Sequence, residues 1–183
     1  SIQGEGPCAG EPVVFLRLAL CNLTCTWCDT KYTWDWANYD FDKEVHEILL
    51  EEIAKQIESY KIKHLVITGG EPLMQQEELY ELILLLNSEY FIEIETNCTI
   101  IPNKLLIDNI DQWNVSPKTK NSGNSLALYE NKKCYDFFAN LDNCYFKYVV
   151  ENDKDLVEIQ ELISKYNLKN DNVFLMPQAT SKS

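Results

Sequence analysis

The chain has 183 residues, a length typical of a single domain. Its hydrophobic content of 45% excludes a disordered chain, and no apolar run approaches the roughly 20 residues of a transmembrane helix. A formal net charge of −13, from 16 Lys and Arg against 29 Asp and Glu, argues against binding to nucleic acid. The first residues belong to a motif and no initiator methionine precedes them, so we expect one domain over residues 1–183 that lacks short segments at both ends.

Short runs rich in apolar and aromatic residues alternate along the chain with longer amphipathic runs. The short runs predict six strands, at residues 13–18, 65–68, 91–95, 113–115, 145–150 and 173–176. The amphipathic runs predict helices at residues 42–60, 75–87, 130–141 and 153–166, with a poorly helical connection before the fourth strand. Residues 121–125, which are Asn, Ser and Gly, are expected to form a surface loop.

The alternation of strands and helices predicts an α/β fold with a parallel sheet. Six such units are fewer than the eight of a complete barrel, so we expect an incomplete, open parallel (β/α) barrel. The chain's polar motifs follow predicted strands one, two, three, four and six. Because (β/α) barrels build their sites at the carboxyl ends of strands, these motifs should meet there.

Cys21, Cys25 and Cys28 have the spacing C-x3-C-x2-C directly after the first predicted strand. Three thiolates in this spacing can hold three corners of a [4Fe–4S] cluster, and no fourth cysteine is close in sequence. The free iron would then be open to S-adenosylmethionine, as in radical S-adenosylmethionine enzymes. The alternatives are a zinc site, which normally requires four protein ligands, or three unrelated buried thiols.

The remaining cysteines and both histidines are interpreted as structural. Seven cysteines with one tight cluster suit a reducing cytoplasm better than a disulfide framework. Cys8, Cys98, Cys134 and Cys144 are interpreted as small apolar residues or exposed thiols. Nothing in the sequence pairs His46 and His64 as ligands or as an acid–base couple.

Four further positions permit both a functional and a structural interpretation. Gly69-Gly70-Glu71-Pro72 is a strand-to-helix turn whose glycines could admit a ligand, with Glu71 binding an ammonium group. Arg17, in an apolar strand, either binds a substrate carboxylate or pairs with a surface acid. Thr30 either caps a turn or contacts a ligand, and Lys118 is either solvated or neutralises a ligand carboxylate.

Six motifs in order along residues 1–118 resemble the 7-carboxy-7-deazaguanine synthase family of radical S-adenosylmethionine enzymes. The motifs are Ser1-Ile2-Gln3-Gly4-Glu5-Gly6, Phe15-Leu16-Arg17-Leu18, the run from Cys21 to Thr30, Thr68-Gly69-Gly70-Glu71-Pro72, Glu95-Thr96-Asn97 and Ser116-Pro117-Lys118. Two positions depart from the family pattern, because Leu20 and Cys98 stand where glycine is usual.

The resemblance implies an enzyme that converts 6-carboxy-5,6,7,8-tetrahydropterin to 7-carboxy-7-deazaguanine with loss of ammonia, in queuosine precursor biosynthesis. Its implied cofactors are a [4Fe–4S] cluster, S-adenosylmethionine and Mg²⁺. It further implies a homodimer, a cytoplasmic location and an electron donor such as flavodoxin, with no nucleic-acid or membrane partner.

The resemblance also assigns roles by position. The cluster ligands are Cys21, Cys25 and Cys28, and Thr30 is the magnesium ligand. The substrate contacts are Ile2, Gln3, Gly4, Arg17 and Thr68. The S-adenosylmethionine contacts are Trp27, Cys28, Asp29, Gly70, Glu71, Ser116, Pro117 and Lys118. The alternative is a glycyl-radical-activating enzyme that acts on a protein partner; it shares the cluster motif but would not require Gln3, Arg17 and Thr30 together.

Overall fold

The computed structural model describes residues 1–86 and 88–178. In these residues six strands form one open, wholly parallel sheet in the order β1-β2-β3-β4-β5-β6. The strands are β1 Val14–Leu18, β2 His64–Gly69, β3 Phe91–Thr96, β4 Gln112–Val115, β5 Cys144–Val150 and β6 Val173–Pro177. The prediction of an incomplete (β/α) barrel is confirmed.

The connections between strands carry seven α-helical segments in the described part of the chain. They are α1 Phe41–Glu44, α2 Leu50–Ser59, α3 Gln76–Leu85, α4 Lys104–Ile107, α5 Leu126–Tyr129, α6 Lys132–Phe138 and α7 Asp153–Tyr166. None of the helices in residues 1–86 and 88–178 is long and apolar enough to cross a membrane. The helix predicted at residues 75–87, between the second and third strands, ends at Asn87, which lies outside the described residues.

The prediction of one continuous helix over residues 42–60 is wrong. The chain forms one turn as α1, becomes extended from Val45 (φ −111°, ψ 128°) to Leu49 (φ −63°, ψ 140°), and becomes helical again as α2. Two apolar residues of this run, Ile48 and Leu49, are 46% and 67% exposed. Only the second half of the run packs on the sheet, through the buried Ala54 and Ile57.

The strands alternate between a helix-facing apolar side and a polar interior side, as period-2 geometry requires. In β3, Ile92 and Ile94 lie in the main core while Glu93 and Glu95 point to the other face. The same parity in the neighbouring strands puts the side chains of Arg17, Thr68, Asn114 and Lys147 on the interior face. The apolar side therefore holds the fold together, and the polar side is left for chemistry.

Candidate functional site

The carboxyl ends of the strands surround a cavity of about 330 Å³ that contains all three motif cysteines. Cys21, Cys25 and Cys28 lie on the loop after β1 and pack with Leu23 and Tyr129 in a small apolar cluster of their own. Among the described residues that line this cavity, these three are the only cysteines. The donor set therefore fits a cluster with three protein ligands and one iron open to the cavity.

Each of the three sulfurs accepts a hydrogen bond from a side-chain N–H of a different part of the chain. The contacts run from Asn97 Nδ2 to Cys21 Sγ (3.9 Å), from Asn124 Nδ2 to Cys25 Sγ (3.2 Å) and from Trp34 Nε1 to Cys28 Sγ (3.4 Å). Hydrogen bonds to cluster sulfurs are one of the ways in which a protein sets the reduction potential. The cysteine loop is thus held in place and electrostatically tuned from three sides.

Burial raises the pKa of Cys21 to about 11 and also raises the pKa of Cys25, where the Lys118 ammonium opposes the effect. Without a metal both groups are therefore neutral thiols at neutral pH. Since iron binds the thiolate, loading of a cluster must release these protons.

The expectation of a mere surface loop at residues 121–125 is wrong, because the segment is the wall that supports the cysteine loop. Thr26 N donates to Ser122 O (2.9 Å), and Trp27 Nε1 donates to Asn121 Oδ1 (3.1 Å). Ser122 is completely buried. Gly123 has φ +78°, and a Cβ there would lie 2.6 Å from Thr26 Cγ2, so only glycine fits this contact.

The two glycines of the Gly69-Gly70 turn line the cavity and also permit close packing within the protein. A Cβ at Gly70 would lie 1.8 Å from the carbonyl oxygen of Leu20, and Gly70 N donates to Leu18 O at 2.9 Å. The turn therefore presses the end of β2 against the start of the cysteine loop. Leu20 adopts φ +74°, a left-handed conformation that favours glycine.

Glu71 does not reach the cavity, contrary to the expectation that it binds an ammonium group. Its carboxylate is completely buried and accepts hydrogen bonds from Leu73 N (3.0 Å), Thr96 Oγ1 (2.7 Å) and Asn97 N (2.7 Å). Burial raises its pKa, and these hydrogen bonds oppose the rise. Glu71 thus fixes the carboxyl end of β3, including Asn97, which donates to Cys21.

Four of the five expected substrate contacts line the cavity, namely Gln3, Gly4, Arg17 and Thr68. The fifth, Ile2, does not, because its side chain is 65% exposed and its backbone pairs with Pro12 in an antiparallel bridge. Arg17 is exposed at the cavity wall, on the interior face of β1.

Most of the expected cofactor contacts also line the cavity. These are Trp27, Cys28, Asp29, Thr30, Gly70, Ser116 and Lys118, whereas Pro117 is buried behind the wall. Lys118 Nζ donates to Ser116 Oγ (2.9 Å) and lies 5.5 Å from the centroid of the Trp27 ring. Burial, with repulsion from Lys147, lowers the pKa of Lys118. Thr30 Oγ1 lies 3.5 Å from Cys28 Sγ.

Three charged residues of the cavity wall, Glu5, Glu95 and Lys147, were assigned no role from the sequence, although Glu95 lies in the Glu95-Thr96-Asn97 motif. Glu95 accepts from Gln3 Nε2 (3.2 Å) and Thr68 Oγ1 (2.7 Å), so it joins two expected substrate contacts. Lys147 forms an ion pair with Glu5 (2.5 Å) across the opposite side. The alternating Glu93 and Glu95 of β3 and the single Lys of β5, at interior positions of strands that also contain apolar residues, were the available signals.

Cations and carboxylates thus line the same cavity as the cysteine loop. Arg17, Lys118 and Lys147 can bind anionic groups, while Asp29 and Glu95 can accept hydrogen bonds from amino or amide groups. Such a cavity suits polar ligands that carry a carboxylate, placed directly beside the three sulfurs.

Comparison with known families gives a match over the central part of the chain. The model of the Radical SAM superfamily matches residues 18–120. The 7-carboxy-7-deazaguanine synthase of Pyrobaculum aerophilum is 37% identical over 182 residues, which cover 99% of this chain and 77% of the relative. The enzyme of the same name from Clostridium acetobutylicum is 36% identical over 183 residues, covering 97% and 77%. The chain therefore spans about three-quarters of the length of these relatives.

Solved structures give a more distant likeness. SuiB of Streptococcus suis bound to the precursor peptide SuiA has a TM-score of 0.60 at 17% identity, covering 91% of this chain and 39% of SuiB. SuiB bound to S-adenosylmethionine has a TM-score of 0.57 at 15% identity, covering 93% and 39%. At these identities the likeness is one of fold.

Proposed function

The chain belongs to the radical SAM superfamily and, within it, to the 7-carboxy-7-deazaguanine synthase family, and we propose on this premise that it converts 6-carboxy-5,6,7,8-tetrahydropterin to 7-carboxy-7-deazaguanine with loss of ammonia. The observation that carries the proposal is one cavity that joins three cysteines to Arg17, Thr68 and Glu95. The curated relatives support this function and give no support to a glycyl-radical-activating enzyme.

We assign Cys21, Cys25 and Cys28 as the residues that would hold a [4Fe–4S] cluster, because they are the only cysteines among the described residues that line the cavity. When bound and reduced, the cluster with S-adenosylmethionine supplies a 5′-deoxyadenosyl radical. The chain itself contributes three hydrogen-bond donors, because side-chain N–H groups of Asn97, Trp34 and Asn124 point at the three sulfurs.

S-adenosylmethionine would lie between the cysteine loop and the ends of β2 and β4. The groups available there are Trp27, Asp29, Gly70, Ser116 and Lys118. Lys118 can neutralise the methionyl carboxylate, and Asp29 can accept from an amino or hydroxyl group. The buried Pro117 would act by shaping the backbone, and Glu71 by fixing the end of β3.

The pterin would occupy the opposite wall, on β1 to β3. Arg17 is proposed to bind the substrate carboxylate, because it is a cation exposed at the wall of this cavity. Gln3, Gly4, Thr68 and Glu95 can bind the polar edge of the ring through amide, hydroxyl and carboxylate groups. Ile2 would contribute through its main chain, since its side chain lies outside the cavity.

Magnesium is proposed to bind the hydroxyl of Thr30, which faces the cavity beside Cys28. A single protein oxygen, completed by waters and substrate, is a normal arrangement for Mg²⁺. We also propose a cytoplasmic homodimer that receives electrons from a donor such as flavodoxin. The open edges at β1 and β6 are surfaces that a second subunit could cover.

The function is tested by anaerobic reconstitution of the cluster, followed by mass spectrometry of the product formed from the pterin. Arg17→Ala should raise the KM for the pterin by about 30-fold or more, since the bound pterin would cover the exposed guanidinium and loss of a charged contact buried in a complex costs about 2–5 kcal/mol. Cluster content and S-adenosylmethionine binding should not change, and Arg17→Lys should restore part of the affinity.

His46 is exposed and does not line the cavity. His46→Gln is therefore the control variant, and its KM for the pterin should not change. If a chain with a complete cluster, S-adenosylmethionine, reductant and Mg²⁺ forms no product, the proposed function is wrong. If Arg17→Ala leaves the KM unchanged, the function stands but the carboxylate is bound elsewhere.

A further inference from the structure

A second cluster of ligand-type side chains lies at the amino-terminal half of the strands, on the interior face. It consists of Cys8, His64 and Glu93, whose donor atoms all lie within 4.8 Å of one another. The three residues come from the amino-terminal segment, the start of β2 and the middle of β3. Nothing in the sequence indicated this grouping, because the partners of His64 are distant along the chain.

The two ring nitrogens of His64 have different carboxylate partners. Nδ1 lies 3.2 Å from Glu11, which is partly exposed, and Nε2 contacts Glu93, which is completely buried. A histidine that binds a metal commonly donates its second ring N–H to a carboxylate, which fixes its tautomer and orientation. Glu11 occupies that supporting position, and Nε2 is left to point at Glu93 and Cys8.

The other two donors are also oriented by neighbours. Glu93 Oε2 accepts from Gln3 Nε2 (3.3 Å) and from Asn114, which leaves Oε1 directed at His64. Cys8 Sγ lies 3.6 Å from Gln112 Oε1, which also faces this cluster. His64 and Glu93 are buried and Cys8 is half-buried, so the three donors have directions fixed by their neighbours.

We propose that Cys8 Sγ, His64 Nε2 and Glu93 bind one Zn²⁺ ion, with water as the fourth ligand. A sulfur, an imidazole nitrogen and a carboxylate oxygen form a donor set that zinc accepts in tetrahedral geometry. Mg²⁺ and Ca²⁺ prefer oxygen ligands alone. The carboxylates of Glu11 and Glu93 also make this region negative, which favours a divalent cation.

Binding of Zn²⁺ at this site releases protons from the ligands and changes no oxidation state. The Cys8 thiol loses its proton to solvent when the Zn–S bond forms, and a proton held between His64 and Glu93 leaves in the same way. Zinc ligands stand about 3.4 Å apart when the bonds are about 2.1 Å long. His64 and Glu93 must therefore separate slightly to admit the ion.

The ion would fasten the amino-terminal segment beneath the cavity. Gln3 Nε2 donates both to Glu93 and to Glu95, at 3.3 and 3.2 Å, so this amide links the zinc cluster to the cavity wall. Cys8 and Gln3 belong to the same segment, whose Gly10 N donates to Gln3 O (2.8 Å). Zinc would thus hold Gln3 in position without touching any ligand in the cavity.

The test uses the anaerobic protein with its iron–sulfur cluster in place, so that the motif cysteines are occupied. The protein is equilibrated with Zn²⁺, dialysed against metal-free buffer, and examined by metal analysis and X-ray absorption at the zinc edge. We expect one zinc per chain, with one sulfur near 2.3 Å and about three nitrogen or oxygen ligands near 2.0–2.2 Å.

Cys8→Ser should remove the sulfur shell and lower zinc affinity at least 10-fold while circular dichroism stays unchanged. Glu11→Gln should lower the affinity by about 10–100-fold and keep the sulfur shell, as expected of a supporting carboxylate. His64→Gln should abolish retention, whereas His46→Gln, a change of the other histidine, should not affect it.

Retention of no zinc by the cluster-loaded protein would overturn the proposal, and so would a shell of three sulfurs, which would place the ion in the cysteine loop. Zinc that survives Cys8→Ser with unchanged spectra would also overturn it. None of these readouts requires catalytic activity, so the result is independent of the proposed function.

Discussion

Glu71, in the Gly69-Gly70-Glu71-Pro72 turn, can have one of two roles: it binds S-adenosylmethionine directly, or it stabilises the fold from inside the protein. The structure favours the support, since the carboxylate accepts from Leu73 N, Thr96 Oγ1 and Asn97 N and is completely buried. The informative change is Glu71→Gln, which keeps the size of the side chain and replaces one oxygen by a donor.

The magnitude follows from the hydrogen bonds that the amide cannot make. If NH₂ replaces Oε2 it faces Asn97 N–H, and if it replaces Oε1 it faces Leu73 N–H, so two buried donors oppose each other either way. Each buried unsatisfied donor costs about 1–3 kcal/mol. Loss of a buried charge offsets part of this cost, and the raised pKa of Glu71 shows that burial opposes the charge. We expect a loss of about 2–4 kcal/mol in the free energy of unfolding.

Thermal unfolding of the anaerobic protein measures this loss, and a drop in Tm of roughly 5–15 °C is expected for a chain of this size. S-adenosylmethionine affinity, measured at low temperature on folded protein, should stay within about a factor of 5, or about 1 kcal/mol. Thr96→Val, which removes one of the three donors, is the graded control and should cost about 1 kcal/mol. An unchanged Tm together with a 30-fold or greater loss of affinity would refute the reasoning and make Glu71 a direct ligand.

Three other predictions concern separate parts of the molecule. Asn124→Ala removes the N–H donor to Cys25 Sγ and should make the reduction potential of the cluster more negative by about 40 mV, the equivalent of about 1 kcal/mol for one electron. A redox titration followed by EPR measures this change, and an unchanged potential would contradict the proposed role of the hydrogen bond. Thr30→Ala should lower turnover and weaken its Mg²⁺ dependence while Thr30→Ser keeps most of both, and an equal Mg²⁺ response in all three proteins would place the ion elsewhere. Burial alone would raise the pKa of Asp155, but hydrogen bonds from Asn121 and from the N–H groups of Glu151 and Asn152 outweigh it and lower the pKa. Its stabilisation is therefore present above the ordinary carboxyl pKa of about 3.9 and is lost as the pH falls, so Asp155→Asn should destabilise the fold by about 1–2 kcal/mol at pH 7 and less below pH 4, and a constant difference between pH 3 and 7 would contradict the assignment.

The strands could be predicted from sequence because most are short runs rich in apolar residues, and their alternation with helices predicts a barrel in which consecutive strands are neighbours. The helix at residues 42–60 could not, because apolar residues at helical spacing do not distinguish one long helix from two short ones. No glycine or proline marks the extended stretch that ends at Leu49, so the local sequence contains no sign of the interruption. The break depends on which apolar residues reach the sheet, and that is decided by tertiary packing.

The site residues within motifs were predictable, whereas those brought in from afar were not. Asn121, Ser122 and Asn124 have the composition of an exposed loop, and their bonds to the cysteine loop join residues about 100 positions apart. The role of Glu71 was misjudged for a related reason. A carboxylate beside two glycines suggests a ligand site, and only the fold shows that backbone N–H groups already occupy its oxygens.

The distance along the chain between Cys25 and Asn124 determines how long after the cysteine loop its supporting residues are synthesised. The cysteine loop leaves the ribosome early, but the side chain that donates to Cys25 Sγ follows 99 residues later. At about 5–20 residues per second the interval is roughly 5–20 s. During this time the sheet can grow strand by strand, since each strand pairs with the one made before it. The nascent thiols stay without their last supporting wall until β4 and the segment after it have emerged, so iron delivery to a finished pocket is a late event in the maturation of the protein.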